Sequence, residues 1–134
     1  MLLDLPKLST VISTQCADIA FAYLFGSSTG GTVKEGSDVD IALYYTGKDA
    51  FVRFWLTDVL EKAMPGYIFD LVELQKADPI LSFEALRGVQ LFVKPDAMDI
   101  YLRFYTLTCR LYEDQIYLMN KQLKYRGYEV QWSD

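Results

Sequence analysis

A chain of 134 residues fits one domain with room for a single good core, and an apolar content of 51% marks it as globular rather than disordered. A formal net charge of -5, with no strongly basic stretch, speaks against a dedicated nucleic-acid binder. The chain has no histidine, which excludes a Cys/His zinc site, a histidine general base and a Ser-His-Asp triad; any metal must be held by oxygen ligands, which favours magnesium or manganese.

The elements follow from periodicity. Leu8, Val11, Ile12, Cys16 and Ile19 recur at three- and four-residue spacing, so 7–18 reads as an amphipathic helix, with Pro6 near its first turn. The continuous apolar run Ile19–Phe25 suits a strand buried on both faces, with a continuation of the helix as the alternative that periodicity alone leaves open. Gly26–Ser37 is polar and glycine-rich, a loop with room for a short helical turn. Val39–Tyr45 reads as a second strand. Ala50–Met64 looks helical, with Phe51, Phe54, Trp55, Val59 and Leu60 near one face, until Pro65-Gly66 stops it. Tyr67–Leu74 is a third strand. Asp78 is placed to cap a short helix running to about Arg87, and Gly88 precedes a fourth strand, Val89–Val93. A long helix is expected from about Ala97 to Lys124, followed by an irregular tail. Both cysteines, Cys16 and Cys109, fall in apolar helical patterns and read as buried free thiols. No apolar run reaches the length of a membrane span and no signal segment opens the chain, so the expected setting is soluble and cytoplasmic.

The chemistry concentrates between the first two strands. Gly26-Ser27 ends the first, and ten residues later Asp38 and Asp40 open the second. Residues two apart on a strand share a face, which puts their Cβ atoms roughly 6–7 Å apart, a spacing at which two carboxylates can converge on one magnesium ion or bracket two. Asp70 lies mid-strand on the face of Ile68 and Val72, an odd place for a carboxylate unless that end opens to a site. It is the candidate third ligand or the acceptor of a proton from an attacking hydroxyl. A turn leaving a strand presents N–H groups to phosphate oxygens, and glycine permits close approach. The loop has no Gly-Lys-Ser/Thr and is not a Walker A loop. Each dipeptide alone is weak, but four specified positions at this spacing match by chance on the order of 0.2% of the time at average composition.

Gly26-Ser27, ten residues, then Asp38-Val39-Asp40 resembles the signature of the polymerase-β-type nucleotidyltransferase superfamily, and the short length points to its minimal nucleotidyltransferase (MNT) branch. YIFDLVEL looks like that family's third-carboxylate strand, and ALRGVQLFV resembles its helix-glycine-strand segment. The resemblance implies an α/β (α+β) nucleotidyltransferase fold, a mixed four-stranded sheet flanked by helices, with a core over 1–95 and a long C-terminal helix and tail over 96–134 within a single domain. It implies nucleotide binding by Gly26 and Ser27, and a magnesium site (manganese as an alternative) on Asp38, Asp40 and Asp70, with Asp70 activating the acceptor hydroxyl. The implied reaction is transfer of AMP from ATP to a tyrosine of a HEPN-type ribonuclease toxin, within a hetero-oligomeric toxin–antitoxin complex. The alternatives are an antitoxin that binds and occludes without transfer, and a nucleotidyltransferase acting on a small molecule. Many relatives carry Arg-Ala-Arg-Gly after Gly-Ser, where this chain has Ser28-Thr29-Gly30-Gly31; Lys34, Arg87 and Lys94 are the candidates to neutralise phosphate instead.

The long helix carries more apolar surface than one sheet needs. Ile100, Phe104, Leu107, Leu111 and Leu118 form one stripe; Tyr101, Tyr105, Tyr112, Ile116, Met119 and Leu123 form another, extended by Tyr125, Tyr128 and Trp132. The surplus is suited to a partner or to a second layer of the monomer itself.

Overall fold

Regular elements form where the apolar periodicity places them. The computed structural model describes residues 2–34, 36–48 and 53–125, with helix α1 over Leu5–Gln15, strand β1 over Ile19–Phe25, β2 over Asp38–Tyr45, α2 over Arg53–Ala63, β3 over Ile68–Glu73, α3 over Pro79–Leu86, β4 over Val89–Val93 and α4 over Met98–Tyr125. The first residues of the expected second helix, Ala50 to Val52, and the tail with Tyr128 and Trp132 lie outside the described residues.

The sheet order is β3-β2-β1-β4. β1 runs antiparallel to both neighbours, whereas β2 and β3 are parallel, joined through α2. The sheet is therefore mixed, as expected. All seven residues of β1 are buried because the strand is central and covered on both faces. On one face, Leu8 and Ile12 of α1 and Leu56 and Leu60 of α2 meet Leu24, Val39, Ile41, Leu43 and Leu71. On the other, Ala85 and Leu86 of α3, with Tyr101 and Phe104 of α4, meet Phe21, Tyr23, Phe25 and Ala42.

Local chemistry sets the boundaries. The Asp4 side chain accepts the Lys7 N–H at 3.1 Å and caps α1, and the Asp78 carboxylate accepts the Leu81 N–H at 2.8 Å and caps α3; each satisfies a backbone donor at a helix start. α1 stops at Gln15, earlier than the periodicity predicts, because Cys16 turns to extended backbone. Cys16 and Cys109 are free thiols, half-buried rather than fully enclosed.

Two apolar faces differ from expectation. In α2 the buried residues are Leu56 and Leu60, while Phe54 is 87% exposed and Trp55 46%; residues four apart align on one face, and Phe54 stands about 200° around the helix from Leu56. In α4 the core-facing row is Tyr101, Phe104, Thr108 and Tyr112, with Tyr112 stacked on Phe83 at 3.8 Å. That row takes members of both expected stripes and leaves Leu107, Leu111 and Leu118 exposed. The loop after β1 is also less independent than its polarity suggests. Val33 is buried in the core, Leu2 bridges Thr32, and Leu3 donates its N–H to the Gly31 carbonyl at 2.7 Å.

Phe21 is the largest fully buried side chain, stacked on Tyr44 at 4.9 Å and edge-on to Tyr101 at 5.0 Å. Phe21→Ala is expected to cost about 3–5 kcal/mol, read as a lowered urea midpoint at unchanged slope.

Candidate active site

One face of the sheet is divided in two. Along the face that carries α3 and α4, register pairs Phe21 with Tyr44, then Tyr23 with Ala42, then Phe25 with Asp40. Asp40 is also the register partner of Asp70 on β3. The first rows are apolar and covered by Tyr101 and Phe104. In the last, the cover has ended: Asp38 and Asp70 are exposed and Asp40 is half-buried. Strand alternation explains why the carboxylates interrupt a core sequence, since Val39 and Ile41 point to the opposite face and are fully buried there. Parallel pairing of β2 and β3 brings Asp70, distant in sequence, level with Asp40.

The Gly26–Ser28 segment forms a single 3₁₀ turn at the end of β1. Gly26 has φ +77°, and a Cβ at that position would run into the Asp40 carboxylate, 3.3 Å from its Cγ. Only glycine permits both the left-handed backbone and the close approach. The turn is thereby seated directly on the carboxylate row. Ser27 is exposed, while the Ser28 hydroxyl is buried and has no hydrogen-bond partner among the described residues.

Burial, and then the charges of Asp70 and Asp38, push the Asp40 carboxyl above the usual aspartate range. Asp70 and Asp38 are thus close enough to oppose the ionisation of Asp40. Their donor chemistry, all carboxylate oxygen, fits a hard divalent cation. Their side chains stand apart, and no described group of three acids and thiols closes into a metal cage.

The candidate phosphate-neutralising cations separate clearly. Lys94 belongs elsewhere: its backbone N–H pairs with the Ala20 carbonyl at the far end of β1, and its Nζ donates to the carbonyls of Cys16 and Ala17 at 3.2 and 2.7 Å. There it satisfies the carboxyl end of α1. Arg87 is at the correct end, because Val89 pairs with Leu24; it is exposed, with its guanidinium 5.8 Å from the Phe83 ring centre. Lys34 is exposed in the loop itself.

Sequence reasoning missed the hydroxyl cluster one row behind Asp40. Tyr23 bonds to the hydroxyl of Tyr101, and its hydroxyl donates to Gln90 Oε1 at 3.3 Å. Burial, reinforced by that bond to Tyr101, holds the Tyr23 proton far more tightly than in water. The cluster closes the apolar end against the acidic one. Only the pairing of β1 with α4 reveals it, which no local pattern carries.

With this geometry in place, comparison with known proteins is informative. The profile of the polymerase beta nucleotidyltransferase family matches residues 7–97. The chain belongs to this nucleotidyltransferase family. No curated protein matches it. Among solved structures, a chain of a toxin–antitoxin complex with AMP-PNP is 23% identical, with a TM-score of 0.66 over 90% of this chain and 99% of that one. A chain of the complex between a tri-AMPylated Shewanella oneidensis HEPN toxin and its MNT antitoxin is 20% identical, with a TM-score of 0.60 over 89% of this chain and 95% of that one. A chain of the MntA-HepT complex is 20% identical, with a TM-score of 0.59 over 89% and 96%. These likenesses establish the nucleotidyltransferase fold along nearly the whole length of each chain, including the long C-terminal helix. Among the described residues no helix is long and apolar enough to cross a membrane.

The repulsion at Asp40 has a measurable sign. The folded protein holds the Asp40 proton more tightly than the unfolded chain, so the ionised carboxylate opposes folding at neutral pH, and the opposition fades as pH falls through its folded-state pKa. In the presence of a chelator, Asp40→Asn should raise the melting temperature by a few degrees at pH 7.5. The gain should shrink towards zero at acidic pH, as followed by calorimetry.

Proposed function

We propose that the protein is a magnesium- and ATP-dependent protein adenylyltransferase, the antitoxin of a cytoplasmic toxin–antitoxin pair, whose acceptor is a tyrosine hydroxyl of a HEPN-type toxin. The observation that carries this reading is the seating of the Gly26 turn on Asp40 in a row with Asp70. A left-handed turn beside an acidic cluster on one open sheet end supports phosphate binding at the turn. The similar toxin–antitoxin structures, one with AMP-PNP and one with a tri-AMPylated HEPN toxin, support this choice of nucleotide and acceptor.

In this reading, the turn at Gly26 and Ser27 holds the triphosphate with backbone N–H groups and a hydroxyl. Asp38, Asp40 and Asp70 are the residues to hold magnesium, which when bound supplies positive charge against the phosphate oxygens. Asp70, exposed at the rim of the acidic row, takes the proton of the acceptor hydroxyl. The acceptor oxygen bonds to the α-phosphorus, the bond from that phosphorus to the leaving oxygen breaks, and pyrophosphate departs. Arg87 and Lys34 stand at the correct end to offset phosphate charge, in place of the arginines absent after Ser27. Residues 1–95 would carry the chemistry, and 96–134 would support it or meet the partner. A second reading, an antitoxin that occludes without transfer, draws on the open arrangement of the three carboxylates.

The test is transfer of label from α-phosphate-labelled ATP to the host's HEPN-type protein. Asp38→Asn with Asp40→Asn should abolish labelling, by 10²-fold or more, and leave partner binding intact. Magnesium with ATP should raise the melting temperature of the unaltered protein more than ATP alone. Equal shifts would remove the ion from the scheme, and normal labelling by the double variant would reassign the site.

A further inference from the structure

β3 is an edge strand, and in the described sheet only β2 pairs with it. A groove of about 290 Å³ runs beside it, and four consecutive residues, Asp70 to Glu73, line it. Side chains alternate along a strand, and those of Leu71 and Glu73 are buried. Leu71 packs into the core and Glu73 pairs with Lys76 at 3.0 Å, and the groove follows the edge of β3 that no described strand covers. The groove spans roughly 10 Å from Asp70 to Glu73, at about 3.3 Å per residue, and reaches Ala77 beyond the strand.

Ala77 also lines a second groove, of about 280 Å³, which continues between Leu74 and Pro79 to Leu107 and Leu111 of α4. These two leucines are 51% and 41% exposed. Beside them Arg103 and Arg110 are exposed and make no ion pair among the described residues. The two grooves meet at Ala77 and lead from the carboxylate assigned to the acceptor hydroxyl, along an edge that no described strand pairs, to apolar surface flanked by Arg103 and Arg110, with Asp114 as the one exposed acid on the same side. A sugar or a nucleotide at Asp70 has no use for distant leucines. A polypeptide uses every part of the track: backbone against a strand edge, apolar side chains against leucines, and acidic groups against arginines.

We infer that the acceptor docks as a polypeptide, its hydroxyl-bearing segment extended along β3 and an apolar, acid-rimmed face of the same partner seated on Leu107 and Leu111. This rests on the reading of Asp70 as proton acceptor, and it moves acceptor specificity away from the nucleotide turn.

The test uses the full chain, the host's HEPN-type protein purified alone, magnesium and α-labelled ATP. Leu107→Glu with Leu111→Glu alters exposed positions only, and an unchanged melting shift with magnesium and ATP verifies the fold and nucleotide site. The expected result is a KM for the acceptor raised tenfold or more with kcat within twofold, and slowed hydrogen exchange at β3 amides in the unaltered complex. Transfer by the unaltered protein with KM unchanged in the variant overturns the docking track and leaves the transfer reading standing. If the unaltered protein transfers nothing, the transfer reading fails, and titration of the partner decides the track separately. A tenfold weaker affinity of the variant retains it, and equal affinity overturns it.

Discussion

The close approach of Gly26 to the Asp40 carboxylate is the contact on which the site depends. It joins the turn proposed to receive phosphate to an acid proposed to bind a cation. Here no side chain intervenes, and the left-handed backbone at Gly26 turns the chain over the carboxylate. The cost is repulsion: Asp40 is half-buried and level with a second acid across the parallel ladder. The protein tolerates it because the row lies where the helical cover ends and water reaches Asp38 and Asp70. A cation entering there would meet a negative potential already in place.

The rest of the fold serves to keep that row level. In a sheet, a slip of one residue in register turns a side chain to the opposite face. Asp70 faces its partner only while β2 and β3 hold their pairing, and the fully buried Val39, Ile41 and Leu43, packed with Leu71 on the far face, lock that register. The aromatic rows behind the acids make the same face rigid: Phe21, Tyr44 and Phe104 pack ring on ring. The apolar and acidic ends of one surface are thus parts of a single arrangement.

Much of this was legible in the sequence. The strand Ile19–Phe25 coincides with its apolar run, the caps at Asp78 and Pro79 follow from residue chemistry, and the Gly-Ser to Asp-Val-Asp spacing pointed to the family that the residues 7–97 match bears out. What escaped depends on rotation and pairing. Phe54 and Trp55 are apolar enough for a core but stand on the wrong side of α2 for Leu56 and Leu60 to share their face. The core-facing row of α4 mixes two stripes because the sheet, not the helix, decides which side is covered. Lys94 lies near the candidate segment in sequence, yet antiparallel pairing carries it to the opposite end of β1. The bond from Tyr23 to Tyr101 joins residues with no shared local pattern.

The anchoring of the loop by the first residues has a practical meaning. Leu2 and Leu3 are tied to Thr32 and Gly31, and the Tyr67 hydroxyl bonds to the Leu2 carbonyl just before β3 begins. The beginning of the chain therefore works as a clamp between the glycine-rich loop and the strand that bears Asp70. A substitution that loosens Leu2 or Leu3 therefore acts on both supports of the candidate site at once, even though these residues contain no chemistry of their own.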